Sequence, residues 1–130
     1  MDEAVFSRVK FDLVNNVEYT FYKLMIDGEC PLDNFLQEVE ADLDCSANLN
    51  RIIAMMDMFS KHIMLPQTKF RQIKGMNRSD LFEFKCNNLR VYVVLCAPDV
   101  FVVCGGFKRN QEKDIKRLKR QLRDFDVSKL

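Results

Sequence analysis

The sequence predicts an α+β domain: an αα-hairpin packed on an antiparallel sheet of three to four strands, followed by a C-terminal helix. Three observations lead there. Apolar residues recur at helical spacing between residues 32 and 64, they follow strand spacing between about 67 and 107, and a last helical stripe runs from about 111 to 125. A chain of 130 residues buries roughly two thirds of its unfolded surface as one unit. No repeat, low-complexity tract or linker divides it, so residues 1–130 read as a single domain.

At the N-terminal end, Val9, Phe11 and Leu13 alternate before Asn15-Asn16, and VEYTFYKLMI follows, rich in aromatic and β-branched residues. This predicts an additional N-terminal β-hairpin over about 5–26, with strands near 6–14 and 17–26. Asp27, Gly28 and Pro31 break the pattern. Leu32, Phe35, Leu36, Val39 and Leu43 then form one helical stripe; Leu49, Ile52, Ile53, Met56, Phe59 and Ile63 form a second, opening near Ser46 and ended by Pro66. Both stripes, methionines included, read as core faces of helices within about 32–64.

Beyond Pro66 the period changes, so a basic sheet and the last helix occupy about 67–125. LPQTKFRQIKGM reads as an extended edge segment, LFEFKC and LRVYVVLCA as strands joined at Asn87-Asn88, and VFVVCGGF as a strand after Pro98-Asp99. In the closing helix Ile115, Leu118, Leu122 and Phe125 make the apolar stripe; Lys116, Arg117, Lys119, Arg120 and Arg123 lie elsewhere, the usual pattern of a solvated face.

A two-residue turn at Asn87-Asn88 fixes a register. Cys86 meets Leu89, Lys85 meets Arg90, Phe84 meets Val91 and Glu83 meets Tyr92. Alternation then sends Phe82, Phe84, Val91, Val93 and Leu95 toward the helices, and Glu83, Lys85, Arg90 and Tyr92 toward an open face. A Pro98-Asp99 turn would set Gly105 beside Tyr92 and Phe107 beside Arg90. Two cations directly opposite one another repel by up to about 1 kcal/mol unless an anion lies between them. Glu83 on the diagonal could be that anion, which makes the row a surface charge ladder; an external phosphate is the alternative.

Composition narrows the classes of function. Five cysteines lack paired or CxxC spacing and several sit in apolar runs, so they read as reduced thiols without disulfide or zinc. No cofactor motif is present, Gly105-Gly106 lacks a following phosphate loop, and Asp42, Asp44 and Asp57 read as solvated rather than metal-binding. The one histidine, His62, reads as a surface residue. The start MDEAVFSRVKFDLV has no basic region leading into an apolar stretch, and no run of eighteen apolar residues occurs, so a cytoplasmic location is expected. Charge is divided: residues 1–65 hold 5 Lys/Arg against 12 Asp/Glu, residues 66–130 hold 15 against 7. That split suits either polyanion binding by the second half or attraction between the halves.

The strings KFRQIKG, DLFEFKCNNLRVYVV and VFVVCGGFKRNQEKDIKRLKRQL resemble the RelE/HigB toxin superfamily, in particular its phage-derived HigB-like branch. Leu81-Phe82-Glu83-Phe84-Lys85 is similar to that branch's L-F-E-L-R strand, with lysine for the final arginine. Arg90-Val91-Tyr92 is similar to its second phrase, and Gly106-Phe107-Lys108-Arg109 to the strand end before its Lys-rich helix. The likeness spans about residues 66–125, and the αα-hairpin ahead of it suits a RelE-like fold.

The resemblance implies a toxin-like endoribonuclease of a type II toxin–antitoxin system. Such an enzyme works without metal and cleaves mRNA on the ribosome by 2′-hydroxyl attack on phosphate. Its implied partners are mRNA, the ribosome and a cognate antitoxin. By the same likeness the catalytic group would be Arg90, Tyr92, Lys74 and Lys85, with Lys74 or Tyr92 exchanging the proton. Lys108, Arg109, Phe107 and Arg71 would bind RNA, with Phe107 or Tyr92 stacking on a base. A non-catalytic RNA- or ribosome-binding module, and a protein-interaction domain whose basic face holds an acidic segment, are the alternatives.

Overall fold

The computed structural model describes residues 3–130. It is an α+β fold in which strands β1 (Phe6–Lys10) and β2 (Thr20–Ile26) precede helices α1 (Pro31–Glu40) and α2 (Leu43–Ser60). Strands β3 (Phe70–Gln72), β4 (Leu81–Cys86), β5 (Leu89–Cys96) and β6 (Asp99–Phe107) follow, then a 3-10 turn and helix α3 (Gln111–Gln121). No helix among the described residues is long and apolar enough to cross a membrane.

All six strands form one sheet, ordered β1-β2-β6-β5-β4-β3. β1 and β2 form the expected N-terminal hairpin, antiparallel from Phe6↔Ile26 to Lys10↔Tyr22. The expectation of an antiparallel sheet of three to four strands is corrected, because β2 also pairs in parallel with β6 from Thr20↔Asp99 to Lys23↔Val102 and makes one mixed sheet of six. The N-terminal turn also differs from the expected two-residue loop. The chain leaves β1 after Lys10 and joins β2 only at Thr20, since Phe11 and Val14 turn into the core. Asn16 Oδ1 accepts the Phe21 amide at 2.8 Å, and Ser60 Oγ accepts Val17 N at 2.7 Å, clipping the loop to α2.

The first helix begins at Pro31, whose fixed φ and missing N–H suit an opening turn. α2 starts at Leu43 rather than near Ser46, because the Asp42 carboxylate caps it by accepting from Asp44 N and Cys45 N. Leu43 and Ile63, assigned to the apolar stripes, are exposed. The remaining stripes pack as expected: Leu32, Phe35, Val39, Ile52 and Met56 bury against Phe21, Phe84, Val91 and Val93 on one face of the sheet.

The other face is not open. Leu118 and Leu122 of the C-terminal segment, with Phe125 beyond it, cover Tyr92, Val94, Phe101 and Val103. The protein therefore has three layers, helix pair, sheet and helix. Strands buried on both faces read as continuous apolar runs rather than alternating ones, and RVYVVLC and VFVVC have that form.

The β4–β5 register is the one that the Asn87-Asn88 turn predicts, with Lys85↔Arg90 and Glu83↔Tyr92; Asn87 takes φ 53°, which asparagine tolerates. The next pairing differs. Cys96 faces Asp99, so Ala97-Pro98 make the turn, and Val103 is an extra residue between Val93↔Val102 and Tyr92↔Cys104. Arg90 consequently lies beside Gly106, and Phe107 beside Leu89.

Candidate functional site: a convergence of cations between the sheet edge and the last helix

Lys85 and Arg90 stand side by side on the α3 face of β4 and β5, and Glu83 lies two residues along β4 on the same face, opposite Arg71 of β3. Glu83 is 1% exposed. Its Oε1 accepts Arg71 Nε at 2.7 Å, and its Oε2 accepts the side-chain amide of Gln111 from the first turn of α3. The acid is thereby occupied by Arg71 and Gln111 and leaves Lys85 without a carboxylate of its own. The Arg71 side chain is half exposed, so its guanidinium keeps donors facing water.

Burial, and next the Arg71 guanidinium, hold the Lys85 ammonium below the usual lysine range; Glu83 opposes this, while Arg90 and Lys108 add to it. Three cations thus surround a fourth, Lys85, which burial and their charge leave holding its proton less firmly. Arg90 is 6% exposed. Its Nη1 donates to the carbonyl oxygens of Asn87 and Leu89 at 2.8 Å each, while its buried Nε has no acceptor among the described residues. Arg90 is accordingly fixed, a charge held by the hairpin it belongs to.

A groove of about 730 Å³ runs beside this cluster, lined by Gln67, Arg71, Lys74, Glu83, Gln111 and Ile115 among others. Lys74 sits exposed on the loop after β3. Lys108, also exposed, is placed by its backbone N–H, which donates to the Asn88 carbonyl at 2.8 Å.

Three of the expected positions lie elsewhere. Tyr92 is fully buried beneath α3. Its hydroxyl has no hydrogen-bond partner among the described residues, and burial, with Asp114 and Glu83 nearby, pushes its pKa far up. It can neither take a proton at neutral pH nor stack on a base arriving from solvent. Phe107 faces α1, where its ring meets Phe35 edge-on at 5.9 Å, because the Val103 bulge and the shifted turn change its register. Arg109 covers that ring, its guanidinium 4.5 Å from the centroid. His62 is exposed at the end of α2, its ring 4.9 Å from that of Tyr19.

Two residues gain importance beyond the sequence reading. Gln111 joins Glu83 to α3, and no local sequence signal marks it. Lys69 lies beside Lys85, whose amide donates to the Lys69 carbonyl at 2.8 Å; its place in KFRQIK was the available clue. No family model and no curated protein matches the chain.

Proposed function

We propose that the protein is a toxin-like endoribonuclease that engages mRNA, on the ribosome, through the groove between β3, β4 and α3. The observation that carries this reading is the placing of Lys85 beside Arg90, with Arg71 and Lys108 near them and Glu83 already engaged; burial first, and then these cations, lower the Lys85 pKa. A cation cluster whose one acid is already committed suits a phosphodiester. The resemblance of Leu81–Lys85, Arg90–Tyr92 and Gly106–Arg109 to phrases of the RelE/HigB superfamily supports the same assignment, and a neutralising acidic antitoxin is the partner it implies.

In the proposed reaction neutral Lys85 Nζ takes the 2′-hydroxyl proton as that oxygen bonds to phosphorus. The P–O5′ bond breaks, leaving a 2′,3′-cyclic phosphate, and the departing 5′-oxygen takes a proton from Lys74 or water. Arg71, Arg90 and Lys108 hold the charge that develops on the phosphorus oxygens. Since the participants are a 2′-hydroxyl, a base and fixed cations, the cleavage is metal-independent. Relocating proton transfer from Tyr92 to Lys85 follows from burial of the tyrosine and the loosened lysine proton.

The test is single-turnover cleavage of mRNA on programmed ribosomes, with EDTA present. Lys85→Met is expected to lower the cleavage rate by on the order of 10²-fold or more, the usual value of general acid–base catalysis, with a smaller loss of binding. Binding by the wild type without cleavage would select the second reading, a non-catalytic RNA-binding module. The immobilised Arg90 head group, committed to Asn87 and Leu89, is what favours that alternative.

A further inference from the structure

Along α3, on the side turned from the basic groove, the end of β6 borders a second concavity. β2 accompanies β6 only as far as Val102. From Cys104 onward the edge of β6 away from β5 has no strand beside it among the described residues. Helices α1 and α3 close on that stretch from opposite faces, and two missing side chains permit it. A Cβ at Gly105 would stand 2.2 Å from the Phe35 ring, and one at Gly106 would stand 2.0 Å from Asp114 Oδ2. What remains is a cleft of about 390 Å³, within the roughly 300–1,000 Å³ of small-molecule sites.

Three carboxylates line it, Glu29, Glu38 and Asp114, against the single cation Arg117. Arg117 is committed, giving Nη2 to Asp114 Oδ1 at 2.9 Å. Asp114 is 5% exposed, and its second oxygen, Oδ2, is buried with no donor among the described residues. Gln121, two helical turns further along the same face of α3 and also on the cleft, has a buried Oε1 in the same condition. Buried acceptors without donors are uncommon and need a cause. Among the described residues no group of three or more His, Cys, Asp or Glu side chains is placed to hold a metal ion. A group that brings both positive charge and N–H donors meets the requirement instead.

We propose that this cleft binds an organic cation, a guanidinium or primary ammonium group, which donates to Asp114 Oδ2 beneath the carboxylates of Glu29 and Glu38, with Gln121 Oε1 about 10 Å further along α3 open to a second donor of the same ligand. Such groups carry several donors and no acceptor, matching a wall of acceptors, and their hydrogen bonds to a carboxylate are about twice as strong as neutral ones. The group can arrive on a free polyamine or on an arginine or lysine side chain of a protein. The site is independent of the RNA reading, because the cleft and the basic groove share no lining residue.

The experiment is an amide NMR titration of the full chain with agmatine, spermidine and N-acetyl-arginine amide. Saturable shifts are expected at Gly105, Gly106 and Gln121. Asp114→Asn should weaken binding by roughly tenfold or more, the worth of one charged hydrogen bond, while Glu40→Gln, on the exposed end of α1, should leave it unchanged. Where Asp114→Asn fails to fold, Glu38→Gln on the rim takes its place, with a loss of several-fold expected. Agmatine binding well above N-acetyl-arginine amide assigns the site to a free amine, and equal binding assigns it to a protein side chain. Shifts that do not saturate, or that persist unchanged in Asp114→Asn and Glu38→Gln, overturn the proposal.

Discussion

Replacing Tyr92 by phenylalanine separates the buried hydroxyl from the chemistry proposed for the basic cluster. The ring packs among Val94, Val103 and Leu118 and is retained, so only the oxygen is lost. That oxygen is buried without a partner, and Gln111 beside it is engaged by Glu83. A buried polar group left unsatisfied costs about 1–3 kcal/mol. Deleting it should therefore be neutral or stabilising by up to about 1 kcal/mol, part of the gain being offset by the small void left. For a chain of this size, 1 kcal/mol raises Tm by about 4 °C. Urea unfolding followed by circular dichroism gives the stability, and single-turnover cleavage on ribosomes gives the activity, expected within about twofold of wild type if Tyr92 moves no proton. Destabilisation beyond 1 kcal/mol would show that the hydroxyl has a partner. A rate loss on the order of 10²-fold without loss of stability would return the proton to Tyr92 and remove it from Lys85.

Other perturbations test the same structure at separate points. Glu83→Gln should cost about 1–3 kcal/mol in urea unfolding, less than a fully buried pair because Arg71 is half exposed, and added salt should recover part of the loss by screening the cations. Lys85→Met should flatten the alkaline pH dependence of stability: the folded state holds the Lys85 proton less tightly than the unfolded chain, whose value is near 10.5. Wild-type stability therefore rises with pH from the lowered pKa up to that value, whereas the variant lacks this rise. Gly105→Ala should destabilise by about 1–3 kcal/mol through overpacking against Phe35, and Phe35→Leu in the same chain should restore part of it in the same unfolding assay. RNA affinity, measured by filter binding, should fall steeply between about 50 and 200 mM salt if phosphates dominate the interface; Lys108→Gln should lower that slope by about one.

The parts of the fold that sequence made legible are those set by local chemistry. Asn87-Asn88 permits the left-handed turn residue, so every pair from Cys86↔Leu89 to Glu83↔Tyr92 followed from one dipeptide. Pro31 and the helical stripes likewise located the helix pair. Non-local choices were hidden. Nothing in the sequence near Thr20–Lys23 states that this strand pairs with Asp99–Val102 rather than only with β1. The Val103 bulge left no glycine or polar residue at its position, and it moved Phe107 away from Arg90. One missed signal was present: with apolar residues at nearly every position of β5 and β6, the sheet needed cover on both faces. That would have placed Tyr92 inside and given the apolar stripe of α3 its purpose. Within the cluster, the pairing placed Lys85 beside Arg90 in advance, but the burial of Arg90 and the capture of Glu83 by Gln111 depend on how α3 docks.

The parallel seam between β2 and β6 has a consequence for how the chain reaches this state. Thr20 waits for Asp99, so β2 cannot complete its pairing until the helix pair and all four later strands have been made. Contacts this distant in sequence slow folding, because the intervening loop must close before they reward it. A nascent chain emerging from the ribosome therefore carries β2 with one ladder unpaired while Phe21 and Leu24, both fully buried at the end, remain exposed to solvent and to other chains. Until β6 is made, segment 20–26 therefore keeps one edge of its ladder open to pairing with other chains.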